Sequence, residues 1–135
     1  MKKIAYWVTT GLFALAMTGS AVAYLSRSPQ LVEGFQHLGY PLYLLVILGV
    51  AKLLGAGALL LPRSGPVWGR IKEWAYAGFS FNLLGAAASH AFSGDPLPQV
   101  ISPLVFLLLL AASYGLWQVQ GQAETRAVLK PELAN

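Results

Sequence analysis

The sequence predicts an all-α integral membrane protein, a four-helix transmembrane bundle with a short amphipathic helix between the first two spans. Only 10% of the 135 residues are charged and 56% are hydrophobic, whereas a soluble domain carries about 25% charged residues. Four segments nearly free of charge cover residues 4–25, 42–61, 72–92 and 100–119. Each is close to the ~20 residues that a helix needs to cross a bilayer. The alternative, a very apolar soluble bundle, is disfavoured because none of the segments has a polar face.

The first span begins like a secretory signal peptide. Lys2 and Lys3 precede an apolar core, and residues 21–23 match an A-x-A cleavage site. The apolar run nevertheless continues past that site to Leu25, which gives it spanning length. We therefore expect this segment to remain attached as the first span.

The connection between the first and second spans, residues 26–41, contains a short helix of its own. Ser28 suits the N-cap and Pro29 the first helical position. Apolar residues then recur at helical spacing, with polar residues between them. This pattern predicts an amphipathic helix at the membrane interface or over the end of the bundle.

The second and third spans each carry a charge. Lys52 lies roughly 15 Å inside its helix, and Glu73 lies roughly 10 Å from the start of the next one, because Ser64 and Pro66 predict a helix start before residue 72. An isolated charge near the middle of a membrane costs at least ~2.5–3.5 kcal/mol. We therefore expect Lys52 to pair with Glu73, either as a lock between two helices or as part of a proton path.

The polar and aromatic groups of these spans form the candidate ligand site: Lys52, Glu73, Trp74, Tyr76, Asn82 and His90. One polar anchor among glycines and aromatic rings is typical of a site that binds a small molecule or a helix. A reaction centre is less well suited, because Asn82 falls on the helix face opposite Glu73.

A second candidate group belongs to the outer face, where His37 and His90 are expected to lie, with Asp95 near His90 in sequence. Two histidines and a carboxylate can bind a metal, but no two of them have ligand spacing on one helix. Histidines that anchor a membrane interface are the simpler interpretation. We predict no metal.

The positive charges predict the orientation of the chain. They precede the first span, occupy the 62–72 connection and recur in the tail, whereas the 26–41 and 93–99 connections hold a single arginine. Such a bias places both termini in the cytoplasm, and such scattered charges do not suit nucleic acid. Residues 1–119 thus form the transmembrane domain, and 120–135 form a polar tail, expected to be exposed and partly disordered.

Several motifs resemble the DoxX-like family of small bacterial four-helix membrane proteins. They are GYPLY at 39–43, LGVAKLLGAGALLLP at 48–62, KEWAYAGFSFNLLGAAASH at 72–90 and GDPLP at 94–98. The resemblance implies a four-helix transmembrane bundle in the bacterial cytoplasmic (inner) membrane. It also places Lys52, Glu73, Trp74, Tyr76, Gly78, Ser89 and His90 at the family's characteristic positions.

Three classes of function remain open. The favoured one is an accessory or assembly subunit that binds another membrane protein, a second copy or an apolar small molecule within the lipid bilayer. The family's name derives from subunits of quinone-linked oxidoreductases, so a quinone-handling subunit is the second class, with a quinone as the candidate cofactor. A small proton-coupled transporter that uses Lys52 and Glu73 is the third. With no cysteine and no cofactor motif, we expect no catalysis by the chain alone.

Overall fold

The computed structural model describes residues 1–62 and 65–133, which form five α-helices and no strand. The helices are α1 (Lys2–Leu25), α2 (Pro29–His37), α3 (Tyr43–Leu60), α4 (Gly65–Phe92) and α5 (Leu97–Leu133). The predicted all-α class is confirmed. By length and composition α1, α3 and α5 can cross a membrane. The sequence predicted four such helices, but α4 is not in this group, because its polar residues lower its hydropathy.

The four long helices contact one another in cyclic order. In the described part of the chain, α1 packs against α3 and α5, and α4 packs against the same two helices. The short helix α2 has the predicted start, with Ser28 at its N-cap and Pro29 in its first turn. Its buried side chain is Phe35, whose ring meets the ring of Tyr24 on α1 edge to face. The apolar side of α2 therefore rests on the end of α1.

A close approach between helices shapes the core. Phe13 of α1 and Phe79 of α4 pack edge to face, with their ring centroids 5.0 Å apart. Gly55 of α3 lies against the same Phe79 ring, and a Cβ atom at Gly55 would come within 2.7 Å of it. A side chain at this point of α3 would require the Phe79 ring to move, so glycine favours the close packing, as small residues often do between membrane helices.

Both long C-terminal helices extend beyond the predicted spans. The start of α4 at Gly65 agrees with a helix that begins before residue 72, although the predicted cap, Ser64, lies outside the described residues. The 37 residues of α5 include the tail as far as Leu133. That part of the tail is helical rather than disordered, because extending an existing helix requires no new nucleus.

Candidate functional site

Lys52 is buried in α3 and is directed at α1. Its Nζ donates a hydrogen bond of 2.9 Å to Ser20 Oγ and lies 3.7 Å from the centroid of the Tyr24 ring. Gly49 allows this approach, because a Cβ there would lie only 2.8 Å from the side chain of Leu25. A hydroxyl and an aromatic face therefore stabilise the Lys52 ammonium, the latter through a cation–π interaction.

Glu73 faces α5. Gln118 Nε2 donates to Glu73 Oε1 at 3.0 Å, and the Tyr114 hydroxyl donates to Glu73 Oε2 at 3.2 Å. Gln118 Nε2 also donates to the Tyr114 hydroxyl at 2.8 Å. The predicted Lys52–Glu73 pair is therefore wrong. The depths of the two residues along their helices allowed it, but their side chains point to different neighbouring helices.

The predicted ligand residues are divided between two grooves on different sides of α4. The α4–α5 groove has a volume of about 280 Å³ and contains Glu73 and Tyr76. The remainder of its lining consists of Ala77, Ser80, Leu107, Leu110, Ala111 and Tyr114. The α3–α4 groove, of about 180 Å³, contains Lys52, Trp74 and Asn82 among mainly small and apolar residues. His90 lines neither groove, so the structure does not assemble the six residues into one site.

A buried polar cluster escaped prediction from the sequence. Lys72, which the charge pattern assigned to a connection, is only 1% exposed, and its Nζ donates to the Tyr6 hydroxyl at 2.9 Å. Beside it, the Tyr76 hydroxyl lies 2.8 Å from Ser113 Oγ, which lies 2.6 Å from Thr10 Oγ1. The available signal was the spacing, because Lys72 and Tyr76, like Tyr6 and Thr10, are four residues apart and share a helix face.

At the end of the bundle that carries α2, Asp95 joins two histidines. Asp95 Oδ1 lies 2.6 Å from His37 Nε2, and Oδ2 lies 2.6 Å from His90 Nδ1. Gly94, with a φ of +72°, reverses the chain after α4 and brings the carboxylate back over the last helical turn. The three side chains therefore connect α2 to the turn between α4 and α5.

This cluster does not have the geometry of a metal centre. Both carboxylate oxygens of Asp95 are already in contact with imidazole nitrogens. Within residues 1–62 and 65–133, no group of three His, Cys, Asp or Glu side chains is arranged to hold a metal ion. The arrangement suits a connection between two segments at one end of the bundle.

The Asp95 cluster predicts a pH-dependent stability. Hydrogen bonds from His90 and then from His37 hold the pKa of Asp95 below its ordinary value. A lowered carboxyl pKa stabilises the fold above the unfolded-state pKa of about 3.9, and this stabilisation is lost as the pH falls through the lower folded-state pKa. We therefore expect Asp95→Asn to lower the melting temperature in detergent near about pH 6, with a much smaller loss near about pH 2.

The matched control is Glu33→Gln, which changes an exposed carboxylate on α2. It is expected to shift the melting temperature little at either pH, since exposed substitutions have small effects. A loss in Asp95→Asn that is equal at both pH values would contradict the proposed contribution of the ionised carboxylate.

The apolar helices and their polar interior define a small helical membrane protein. Residues 8–113 match the DoxX-like family, and the chain belongs to that family, as its motifs predicted. It is also similar to the uncharacterized protein YdgD of Bacillus subtilis (strain 168). The two are 30% identical over 100 residues, which is 74% of this chain and 83% of YdgD. No solved structure matches the chain.

Proposed function

We propose that this protein binds an amphiphilic molecule in the α4–α5 groove and serves as an accessory membrane subunit rather than as an enzyme by itself. The observation that carries the proposal is a groove with one polar end. Glu73 and Tyr114 supply that end, and Leu107 and Leu110 supply an apolar wall. An amphiphile has the same division between a polar head and an apolar tail.

The size of the groove limits what it holds. Sites for drug-sized ligands usually occupy about 300–1,000 Å³, and this groove has about 280 Å³. It therefore accommodates a head group and the first part of a tail, while the rest of the tail extends into lipid. Quinones and single-chain lipids both fit this description, and a second membrane protein is the alternative occupant of the same face.

The proposed topology has four crossings, including α4. Tyr40, just before α3, contacts Ser89 near the end of α4, and His37 contacts Asp95 just before α5. The starts of α3 and α5 therefore lie at the same end of the bundle. Because α4 connects the far end of α3 to the start of α5, its 28 residues run back along the whole bundle, which is sufficient length for a crossing.

The end opposite α2 faces the cytoplasm in this topology. Most Lys and Arg residues lie there, whereas Arg27 lies at the α2 end, and positive residues favour the cytoplasmic side. We expect an impermeant thiol reagent to label Gln30→Cys in intact cells and to label Gln122→Cys only after lysis. Both positions are exposed. Labelling of Gln122→Cys alone in intact cells would mean that the chain has the opposite orientation in the membrane.

A groove-filling substitution tests ligand binding. Ala111 lines the groove, and Ala111→Phe is expected to displace the bound amphiphile because the new ring occupies the cavity. The neighbouring Ala112 is also exposed but does not line the groove, so Ala112→Phe is the matched control. We expect mass spectrometry of protein purified in a mild detergent to find an amphiphile with the parent and with Ala112→Phe, and much less with Ala111→Phe. Equal retention by both variants would refute the groove as the site.

A further inference from the structure

The α4–α5 groove has few hydrogen-bond donors to offer a ligand. The Ser80 hydroxyl donates to the backbone oxygen of Tyr76 at 2.7 Å. The Tyr114 hydroxyl donates to Glu73, and the Tyr76 hydroxyl is paired with Ser113. A head group that mainly accepts hydrogen bonds, such as the carbonyl of a quinone, therefore meets two hydroxyls, those of Ser80 and Tyr114, whose protons are already engaged.

The same groove has a strong acceptor and two aromatic rings. Tyr114 and Gln118 both donate hydrogen bonds to Glu73. This pattern suits an ionised carboxylate, which only accepts hydrogen bonds. The rings of Tyr76 and Tyr114 are 5.1 Å apart and meet edge to face beside it. A carboxylate flanked by aromatic rings is a favourable environment for an ammonium group, because both the negative charge and the ring faces attract a cation.

Within residues 1–62 and 65–133, no lysine or arginine forms an ion pair with this carboxylate. Lys72 is next to Glu73 in sequence, but its Nζ is bound to Tyr6 on α1. Lys52 belongs to the α3–α4 groove and is bound to Ser20. The residues that line the α4–α5 groove include one carboxylate and no positively charged side chain.

We propose that the α4–α5 groove selects amphiphiles with a positively charged ammonium head over neutral and anionic amphiphiles with the same tail. This inference rests on the proposed binding function and adds the class of ligand. In a bilayer, where water is scarce, the attraction between an ammonium and Glu73 is screened far less than in water. The two tyrosine rings add cation–π attraction to the same head group.

The test compares three twelve-carbon probes that share one tail: dodecyltrimethylammonium, dodecanol and dodecanoate. Each radiolabelled probe is equilibrated with the protein in nanodiscs and with empty nanodiscs of the same lipid, and the excess bound to the protein is measured. We expect the ammonium probe to be enriched about tenfold over the alcohol, with the carboxylate probe bound least. Glu73→Gln should abolish this order, whereas Glu33→Gln, which changes an exposed carboxylate outside the groove, should preserve it.

The outcomes separate the two proposals. If no probe is enriched, or if Ala111→Phe leaves the enrichment unchanged, the groove is not a binding site and the proposed function fails. If Ala111→Phe abolishes the enrichment but the three probes bind equally to the parent, the groove is a binding site and the head-group selection fails. The selection also fails if a quinone competes for the groove as well as the ammonium probe does. A Glu73→Gln protein that melts like the parent yet keeps the ammonium preference also overturns the selection.

Discussion

Replacing Phe13 with alanine is expected to lower the free energy of unfolding in detergent by about 3 kcal/mol. Phe13 is 0% exposed, and its ring contacts Phe79 of α4, which in turn rests on Gly55 of α3. Three helices therefore meet at this pair of rings. The estimate takes the low end of the values for soluble cores, because apolar groups lose little when they move into lipid or detergent and the cost is mainly that of the cavity.

The control for this change is Leu15→Ala on the same helix. Leu15 is 72% exposed, so its truncation removes few protein contacts and should change the free energy of unfolding by less than about 0.5 kcal/mol. Both variants are measured by reversible denaturation in the same detergent. Phe13→Ala and Leu15→Ala of equal stability would mean that the helices do not meet at Phe13.

The helices could be predicted because their signals are local in the sequence. Apolar runs of spanning length gave the helical segments, and Ser28 with Pro29 marked the start of α2. Local patterns also predicted that His37, His90 and Asp95 lie on the same side of the membrane. They could not supply the contacts among them, which depend on the turn at Gly94 and on where α2 rests.

The pairing of charges could not be predicted, because it depends on which helices are neighbours. Sequence position gives the depth of Lys52 and Glu73 along their helices but not the direction of each side chain within the bundle. In the structure Lys52 finds its partner 32 residues away on α1, and Glu73 finds Gln118 45 residues away on α5. Both of these polar contacts are therefore long-range in the sequence.

The rule that predicts membrane orientation from positive residues gave the wrong environment for Lys72. Positive residues near span ends usually mark the cytoplasmic side, and by that rule Lys72 belonged to a connection. Because α4 already begins at Gly65, Lys72 lies in its second turn and faces α1. Its long aliphatic chain is buried and its ammonium reaches a tyrosine hydroxyl, so the residue contributes to the interior of the bundle.

Tyr6→Phe is expected to lower the free energy of unfolding by about 3 kcal/mol, because it removes the acceptor that the described structure gives the buried Lys72 ammonium. Lys72→Met alone should cost much less, because methionine fills a similar volume and leaves no charge inside the bundle. The double variant Tyr6→Phe with Lys72→Met should be close to Lys72→Met. The expected coupling between the two sites therefore has a magnitude of about 3 kcal/mol.

The four proteins of this cycle are compared by denaturation in one detergent at one pH, with Tyr43→Phe as the control. Tyr43 is 65% exposed at the start of α3, so loss of its hydroxyl should have little effect on stability. A stable Tyr43→Phe would show that the cost of Tyr6→Phe is not a general effect of removing a tyrosine hydroxyl. Strict additivity of the two single changes would show that the Tyr6–Lys72 hydrogen bond contributes nothing. Coupling of the expected sign would mean that a buried ammonium holds α4 to α1 through Tyr6, so that Lys72 does not neutralise Glu73 and this carboxylate can meet a ligand.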